Sequence, residues 1–337
     1  MQWLALDIGG ANLKVADGLG HAESYPFELW RKPDHLAQEL RTLIAQSPAC
    51  DHLAATMTGE LADCFESKAE GVTFILDALR QAADGRHTRI YSSDGSLVTL
   101  EVAKRRPAAI AAANWHVLSC FASRFTNGQP SLMIDVGSTT SDVIPLLGGE
   151  PATQQRTDTA RLLRGELIYA GVERTPVCSL VAALPYRGHT CPIAREFFAT
   201  TRDVYTLLGK LPEHPRSYDT ADGRAMTKSA SRLRLARMIC ADREDFNHRD
   251  AGVAAEAVAE AFTRLIQSSI RQVITAYSIE PALVILSGHG AFAAKKALDQ
   301  AELPWKRVYL ASEIGPAASR CAPAHALAVL AREAAGV

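Results

Sequence analysis

Apolar residues fall into two kinds of run along this chain. Short, partly β-branched runs bounded by Gly, Pro or polar turns read as buried strands, and longer stretches with apolar residues three and four apart read as helices. Trp3-Leu4-Ala5-Leu6 leads through Asp7-Ile8-Gly9-Gly10-Ala11-Asn12-Leu13-Lys14 to Val15-Ala16-Asp17. Leu132-Met133-Ile134 leads through Asp135-Val136-Gly137-Ser138-Thr139-Thr140-Ser141-Asp142 to Val143-Ile144-Pro145-Leu146-Leu147. Each stretch predicts a strand, a tight Asp-x-Gly turn and a returning strand. A third strand over 22–27 completes a meander in the first unit, and 152–158 is expected to do the same in the second.

Helical spacing predicts helices over 34–45, 71–83, 110–125, 227–241 and 251–277. In the last of these, Val253, Ala257, Ala261, Leu265, Ile266 and Ile270 are expected near the buried stripe. Single strands are expected at 53–57, 88–91, 282–286 and 308–310, and Pro323 starts a closing helix. This alternation defines an α/β chain. The turn cluster Thr126-Asn127-Gly128-Gln129-Pro130 is the expected boundary, giving domains of 1–128 and 129–337, with an insertion over about 159–220 of the second.

The 337 residues leave room for two cores, and 47% hydrophobic with 22% charged residues is ordinary globular composition. A net charge of -1 gives no basic excess for nucleic acid, so a small-molecule partner is expected by elimination. No apolar stretch approaches the ~20 residues of a membrane span, and the N-terminus runs straight into a strand. No membrane partner and a cytoplasmic location are therefore expected, and a homodimer is left open. The seven cysteines are odd in number and scattered, which favours reduced thiols.

The chemistry concentrates at the turns. Gly9, Gly10 and Gly137 let backbone approach a ligand, and Asn12, Ser138, Thr139 and Thr140 add polar side chains beside backbone N–H donors that suit phosphate oxygens. Asp7, Asp135 and Asp142 would repel a bare phosphate, but they suit Mg²⁺, which takes one or two carboxylates together with phosphate and water. Lys14 lies one strand away and can meet the same phosphates. Glu60 and Asp63 follow the 53–57 strand at its carboxyl end, where ligands bind in open α/β sheets. A strand, Gly288-His289-Gly290 and a helix form a further candidate nucleotide turn.

The insertion is dense in Arg, Tyr and Thr. Arg174, Arg187 and Arg202 offer forks for a carboxylate and Tyr205 a flat face with a hydroxyl, so substrate specificity is placed here, with Asp203 a further carboxylate. Cys178, His189 and Cys191 match no zinc spacing, and neither a Gly-x-Ser-x-Gly elbow nor a His-Glu-x-x-His helix occurs.

The repeated hairpins resemble the actin, sugar-kinase and Hsp70 superfamily, in which two ribonuclease-H-like domains each lend a phosphate loop to the cleft between them. More narrowly, six stretches make the chain similar to the hydantoinase A and 5-oxoprolinase branch: 7–14, 56–65, 135–142, Gly171-Val172-Glu173-Arg174-Thr175-Pro176, Ala199-Thr200-Thr201-Arg202-Asp203-Val204-Tyr205 and 220–224. The nearest members are short proteins linked to tetrahydromethanopterin and methanofuran one-carbon metabolism.

That resemblance implies a transferase in methanofuran or methylofuran biosynthesis. It would join an aminomethylfuran-methyl diphosphate to the phenol of a tyramine or γ-glutamyltyramine-like acceptor and release pyrophosphate. Mg²⁺ would then be held by Asp7 and Asp135, with Glu60, Asp203 and Asp142 as catalytic candidates. The diphosphate would meet Gly9, Gly10, Asn12, Lys14 and the 137–140 turn, and the acceptor Arg174, Arg187, Arg202 and Tyr205. The alternative is an ATP-dependent kinase or ATPase using Gly288 and Gly290 for adenosine. Against it stands Ala11, where the superfamily usually carries Thr or Ser.

Overall fold

A computed structural model describes residues 1–336. The first sheet contains β1 (Trp3–Ile8), β2 (Asn12–Ala16), β3 (Ala22–Pro26), β4 (His52–Met57), β5 (His87–Tyr91) and the short β6 (Leu97–Val98), in the order β3-β2-β1-β4-β5-β6. β1 lies between antiparallel β2 and parallel β4, and all six of its residues are buried. This is why its sequence is a continuous apolar run rather than an alternating one.

The second sheet repeats the plan. β7 (Ser131–Val136) and β8 (Ser141–Leu147) form the hairpin, and β9 (Glu150–Pro151) and β10 (Leu167–Ile168) each pair with β8. After the separate hairpin of β11 (Ala183–Tyr186) and β12 (His189–Pro192), β13 (Leu283–Ser287) and β14 (Lys306–Tyr309) add parallel to β7. Both sheets thus pair a hairpin with two parallel strands, which makes two ribonuclease-H-like domains of the actin and sugar-kinase type with a cleft between them.

Three expectations change. No strand forms over 152–158: Ala152 N still donates to Pro145 O at 2.8 Å, but Pro145 has no N–H to return the bond, and Thr157 caps a helix at Asp158–Arg164. The expected 110–125 helix is broken by Ala112 in the left-handed region (φ 49°), so a new helix begins at Asn114 and runs to Ala122. In the His248–Tyr277 helix Ala261, Ile266 and Ile270 are buried as expected, but Ala251, Ala254, Ala255, Val258 and Phe262 carry the rest of the stripe. Val253 and Leu265 face outward, because abundant alanine leaves more than one reading of the apolar phase.

Each domain has its own core, and a third apolar cluster spans both. It packs Trp3, Ala5 and Ala54 of the first sheet with Met133, Ile144 and Ile285 of the second, around Ala322, Ala326, Leu327 and Ala331 of the last helix, Ala322–Ala334. Nearer the cleft, Lys68 reaches across to Asp158 at 3.0 Å.

Candidate active site

The two hairpin tips close in the same way. Gly9 N donates to Asn12 O at 3.0 Å, and Gly137 N to Thr140 O at 2.9 Å. Gly9 has to lack a side chain, because a Cβ there would lie 2.9 Å from the carbonyl oxygen of Asn12. Asp7 faces Lys14 across the first hairpin, with Lys14 Nζ 3.2 Å from Asp7 Oδ2. Asp135 faces Asp142 across the second. Asp7 Oδ1 and Asp135 Oδ1 are both buried, and neither has a hydrogen-bond partner among the described residues.

These carboxylates sit in a field that spans both domains. Burial first, and then the neighbouring charge of Asp142, push the Asp135 carboxyl up to about 6. Burial works against the charge on Lys14, but Asp7, Cys321 and Asp135 outweigh it and hold the ammonium above its ordinary value. Lys14 therefore answers to an aspartate from each sheet. Two buried carboxylate oxygens with no donor are a set that fits a hard divalent cation shared with phosphate and water. Among the described residues no three His, Cys, Asp or Glu side chains converge to hold a metal unaided, so any such ion depends on ligand oxygens.

The 171–175 motif wraps the second tip. Val172 N donates to Gly137 O, and the N–H groups of Glu173 and Arg174 both donate to Ser138 O, each at 3.0 Å. A Cβ on Gly171 would come within 2.5 Å of Gly137 O, so only glycine permits this approach. Thr201 braces the motif by donating to Gly171 O at 2.8 Å. On the other side the 288–290 turn lies on β7: Gly290 N donates to Val136 O at 2.9 Å, and a Cβ on Gly288 would lie 2.9 Å from Asp135 Oδ1. Here the two glycines seat the turn against the strand carrying Asp135.

Charged pairs surround this centre. Glu173 Oε1 lies 3.1 Å from Arg202 and 3.0 Å from His289. Burial raises its carboxyl, but His289, Arg202 and Arg320 together draw it down to about 2. Arg161 donates to Asp142, and its guanidinium lies over the Trp115 ring, 4.2 Å from the centroid. Arg174 likewise covers the ring of Trp30, at 4.6 Å.

Of the other candidates, Glu60 is almost fully buried just beyond β4. Burial raises its carboxyl to about 7, Asp158 adds to this, and Oε2 has no partner among the described residues. Asp63 is exposed. Asp203 is withdrawn from catalysis by its own contacts, since Oδ2 accepts from Thr200 N in a capping box and Oδ1 accepts from Ser231 and Arg234. Tyr205 packs in the core against Phe262 and Phe292 and offers no face to a substrate. Arg187 lies outside the cleft, on the β11–β12 hairpin, where it donates to Asp245 O at 2.6 Å. Arg202 is spent on Glu173 and on Pro212 O. None of the seven cysteines is in a disulfide.

Trp30, Arg161, Glu173 and His289 join the site without having been marked by spacing. Glu173 and His289 lie inside motifs that do stand out, whereas a buried arginine clamped on a hairpin aspartate has no local signature.

Two facing hairpins with convergent aspartates define an actin-like, sugar-kinase-type cleft. Within that class the chain belongs to the hydantoinase/oxoprolinase family, whose sequence profile matches residues 51–334. It is 32% identical over 302 residues to a (furan-2-yl)methanamine synthase of Methanocaldococcus jannaschii, named for a furan bearing a γ-glutamylaminoethyl-phenoxymethyl substituent, with 88% of each chain covered. The protein of the same name from Methanococcus vannielii is 30% identical over 169 residues, covering 50% of this chain and 75% of that one. These synthase relatives support an enzyme with a biosynthetic role. Among solved structures, nucleotide-free acetone carboxylase aligns with 94% of this chain and 51% of its own at 14% identity and a TM-score of 0.49. The archaeal actin homolog Ta0583 aligns with 99% and 100% at 14% identity and 0.47.

No helix is long and apolar enough to cross a membrane among the described residues.

Proposed function

We propose that this protein is a transferase that joins an aminomethylfuran-methyl diphosphate to the phenol of a tyramine or γ-glutamyltyramine-like acceptor, releasing pyrophosphate. The observation that carries this reading is the pair of buried, unpartnered oxygens on Asp7 and Asp135 at facing hairpin tips, in a chain related over most of its length to a synthase. The name of that relative's product describes an aryl ether, a phenoxy oxygen on a furylmethyl carbon. Forming such a bond requires a leaving group on the carbon and a base for the phenol.

Asp7 and Asp135 would hold Mg²⁺. Once bound, the ion would neutralise the diphosphate and make it a better leaving group. Lys14, already held beside Asp7, adds a second positive charge for the same oxygens. Glycines at both tips let backbone N–H groups approach the phosphates. Ala11 in place of a hydroxyl is consistent with a cleft that holds a diphosphate without transferring a phosphoryl group.

Glu60 serves as the base. A carboxyl brought to about 7 by burial is part ionised at neutral pH and strong enough to take a phenolic proton in the transition state. Asp142, clamped by Arg161, keeps the second hairpin in shape and adds to the charge around Asp135. The test is direct: pure protein with Mg²⁺, furfuryl diphosphate and tyramine should yield pyrophosphate and an aryl ether. ADP formation from ATP, with no ether, would favour a kinase instead.

A further inference from the structure

The pair of Trp30 and Arg174 joins the two phosphate loops. Trp30 belongs to a turn fixed on the first loop, where Phe27 N donates to Ala11 O at 3.0 Å and Leu29 N to Gly10 O at 2.9 Å. Arg174 is fixed on the second loop through its own N–H to Ser138 O at 3.0 Å. Its guanidinium nevertheless crosses to the first domain and lies 4.6 Å from the centre of the indole ring. The adjacent carboxylate, Glu173, is already taken by Arg202 and His289, which leaves the ring as the partner of Arg174.

An aromatic face that holds a cation does so through its negative quadrupole, and indole is the strongest of the side-chain rings in this respect. The position of this face matters as much as its strength. The turn that carries it is hydrogen-bonded to Gly10 and Ala11 through Leu29 and Phe27, so a diphosphate held at that loop would carry a ring, one methylene away, towards this turn.

We propose that Trp30 is a catalytic residue of the transfer reaction, its face stabilising the positive charge that develops on the furylmethyl carbon as diphosphate leaves. The inference rests on the transferase reading above. In the step, the bond from the methylene carbon to the diphosphate oxygen breaks and its electron pair stays on the diphosphate. The phenolic oxygen forms the new bond to that carbon, and the phenolic proton passes to the Glu60 carboxylate. Arg174 leaves the ring for the diphosphate as the substrate enters, so one face serves two cations in turn.

The experiment compares wild type, Trp30→Leu and Trp30→Phe, with furfuryl diphosphate and tyramine as substrates and inorganic pyrophosphate as a binding probe. A desolvated cation–π contact accounts for a factor of about 30. Trp30→Leu should therefore lose about 30-fold in kcat, with KM for the diphosphate and calorimetric affinity for pyrophosphate within about threefold of wild type. Trp30→Phe should lose less, because a weaker aromatic face remains. Pyrophosphate should also change the indole emission of wild type as Arg174 leaves the ring, and that change should vanish in Trp30→Phe. A Trp30→Leu enzyme with wild-type kcat overturns the role of Trp30 and leaves the transferase reading standing. So does equal loss of kcat and pyrophosphate binding in both variants, which marks the ring as a structural support. A wild-type protein that forms no ether and turns ATP into ADP overturns both readings together.

Discussion

Asp135 and Asp142 stand directly opposite one another in the β7–β8 pair, yet Arg161 closes on Asp142 while Oδ1 of Asp135 is buried without a partner among the described residues. One carboxylate of the pair is ion-paired within the protein and the other keeps a buried oxygen without a donor. Replacing Asp135 should separate stability from function. In EDTA, the folded state holds the Asp135 proton to about pH 6, whereas the unfolded chain releases it near the ordinary value. Stability contributed by that proton is present at low pH and is lost as pH rises through about 6. Asp135→Asn should remove this loss and raise stability at pH 8 by up to about 3 kcal/mol, on the scale of about 1.4 kcal/mol per pKa unit. Activity should be abolished. Thermal melts across pH 4 to 8 check the sign, and a lower melting temperature at pH 8 would mean that Asp135 is paired in solution.

Asp7→Asn should behave in the opposite way. It leaves the half-buried Lys14 ammonium beside an amide, and loss of a charge-assisted hydrogen bond costs on the order of 2 kcal/mol. Urea titration of the two variants side by side should show Asp7→Asn unfolding first and Asp135→Asn last.

As the proposed base, Glu60 should set the pH dependence of the chemistry. With its carboxyl raised to about 7, kcat/KM should climb as pH rises from 5 and level off above about 8. Glu60→Gln should cut kcat by roughly 10²-fold or more, the usual span for a general base, and flatten that limb. The same raised value predicts that wild type becomes less stable between pH 4.5 and 7, since the folded state binds a proton there that the unfolded chain has released. A variant with a flattened rate profile but an unchanged stability profile would place the titrating base elsewhere.

Arg202→Ala should weaken tyramine and γ-glutamyltyramine alike. The guanidinium is committed to Glu173 and Pro212, so its loss disturbs the 171–175 wrap around the second hairpin and deletes no contact to an acceptor carboxylate. Inhibition constants for the two acceptors measure this. A selective loss of the glutamylated one would return Arg202 to the acceptor pocket.

Removal of divalent metal should halt pyrophosphate release. Mg²⁺ alone should restore it, given the all-oxygen character of the two open carboxylates. Recovery only with Zn²⁺ would point to nitrogen or sulfur donors.

Much of this was written into the chain locally. β1 and β7, fully or largely buried and next to Asp-x-Gly turns, show themselves as short apolar runs, so the repeat and the fold are legible from it. Glycines at 9, 171 and 288 advertise close approaches for the same reason. The fates of Asp203 and Tyr205 are different, because nothing in Thr200-Thr201-Arg202-Asp203-Val204-Tyr205 reveals that Ser231 and Arg234 will claim the carboxylate or that Phe262 and Phe292 will enclose the ring. Partners supplied from distant segments decide whether a polar side chain is free for a ligand. The broken 110–125 helix shows the limit at shorter range, since Ala112 is a helix-forming residue placed in a conformation that alanine seldom adopts.

The helix Ala322–Ala334 lies against β1, β2 and β4, so the earliest strands are finished by some of the latest residues. On the ribosome the first sheet emerges with that face uncovered, and it stays so while the whole second sheet is being made. Folding of the first half is therefore coupled to completion of the second. A nascent chain stalled before residue 322 would show apolar surface from Trp3, Ala5 and Ala54 to chaperones, and a fragment cut there would need the helix supplied in trans.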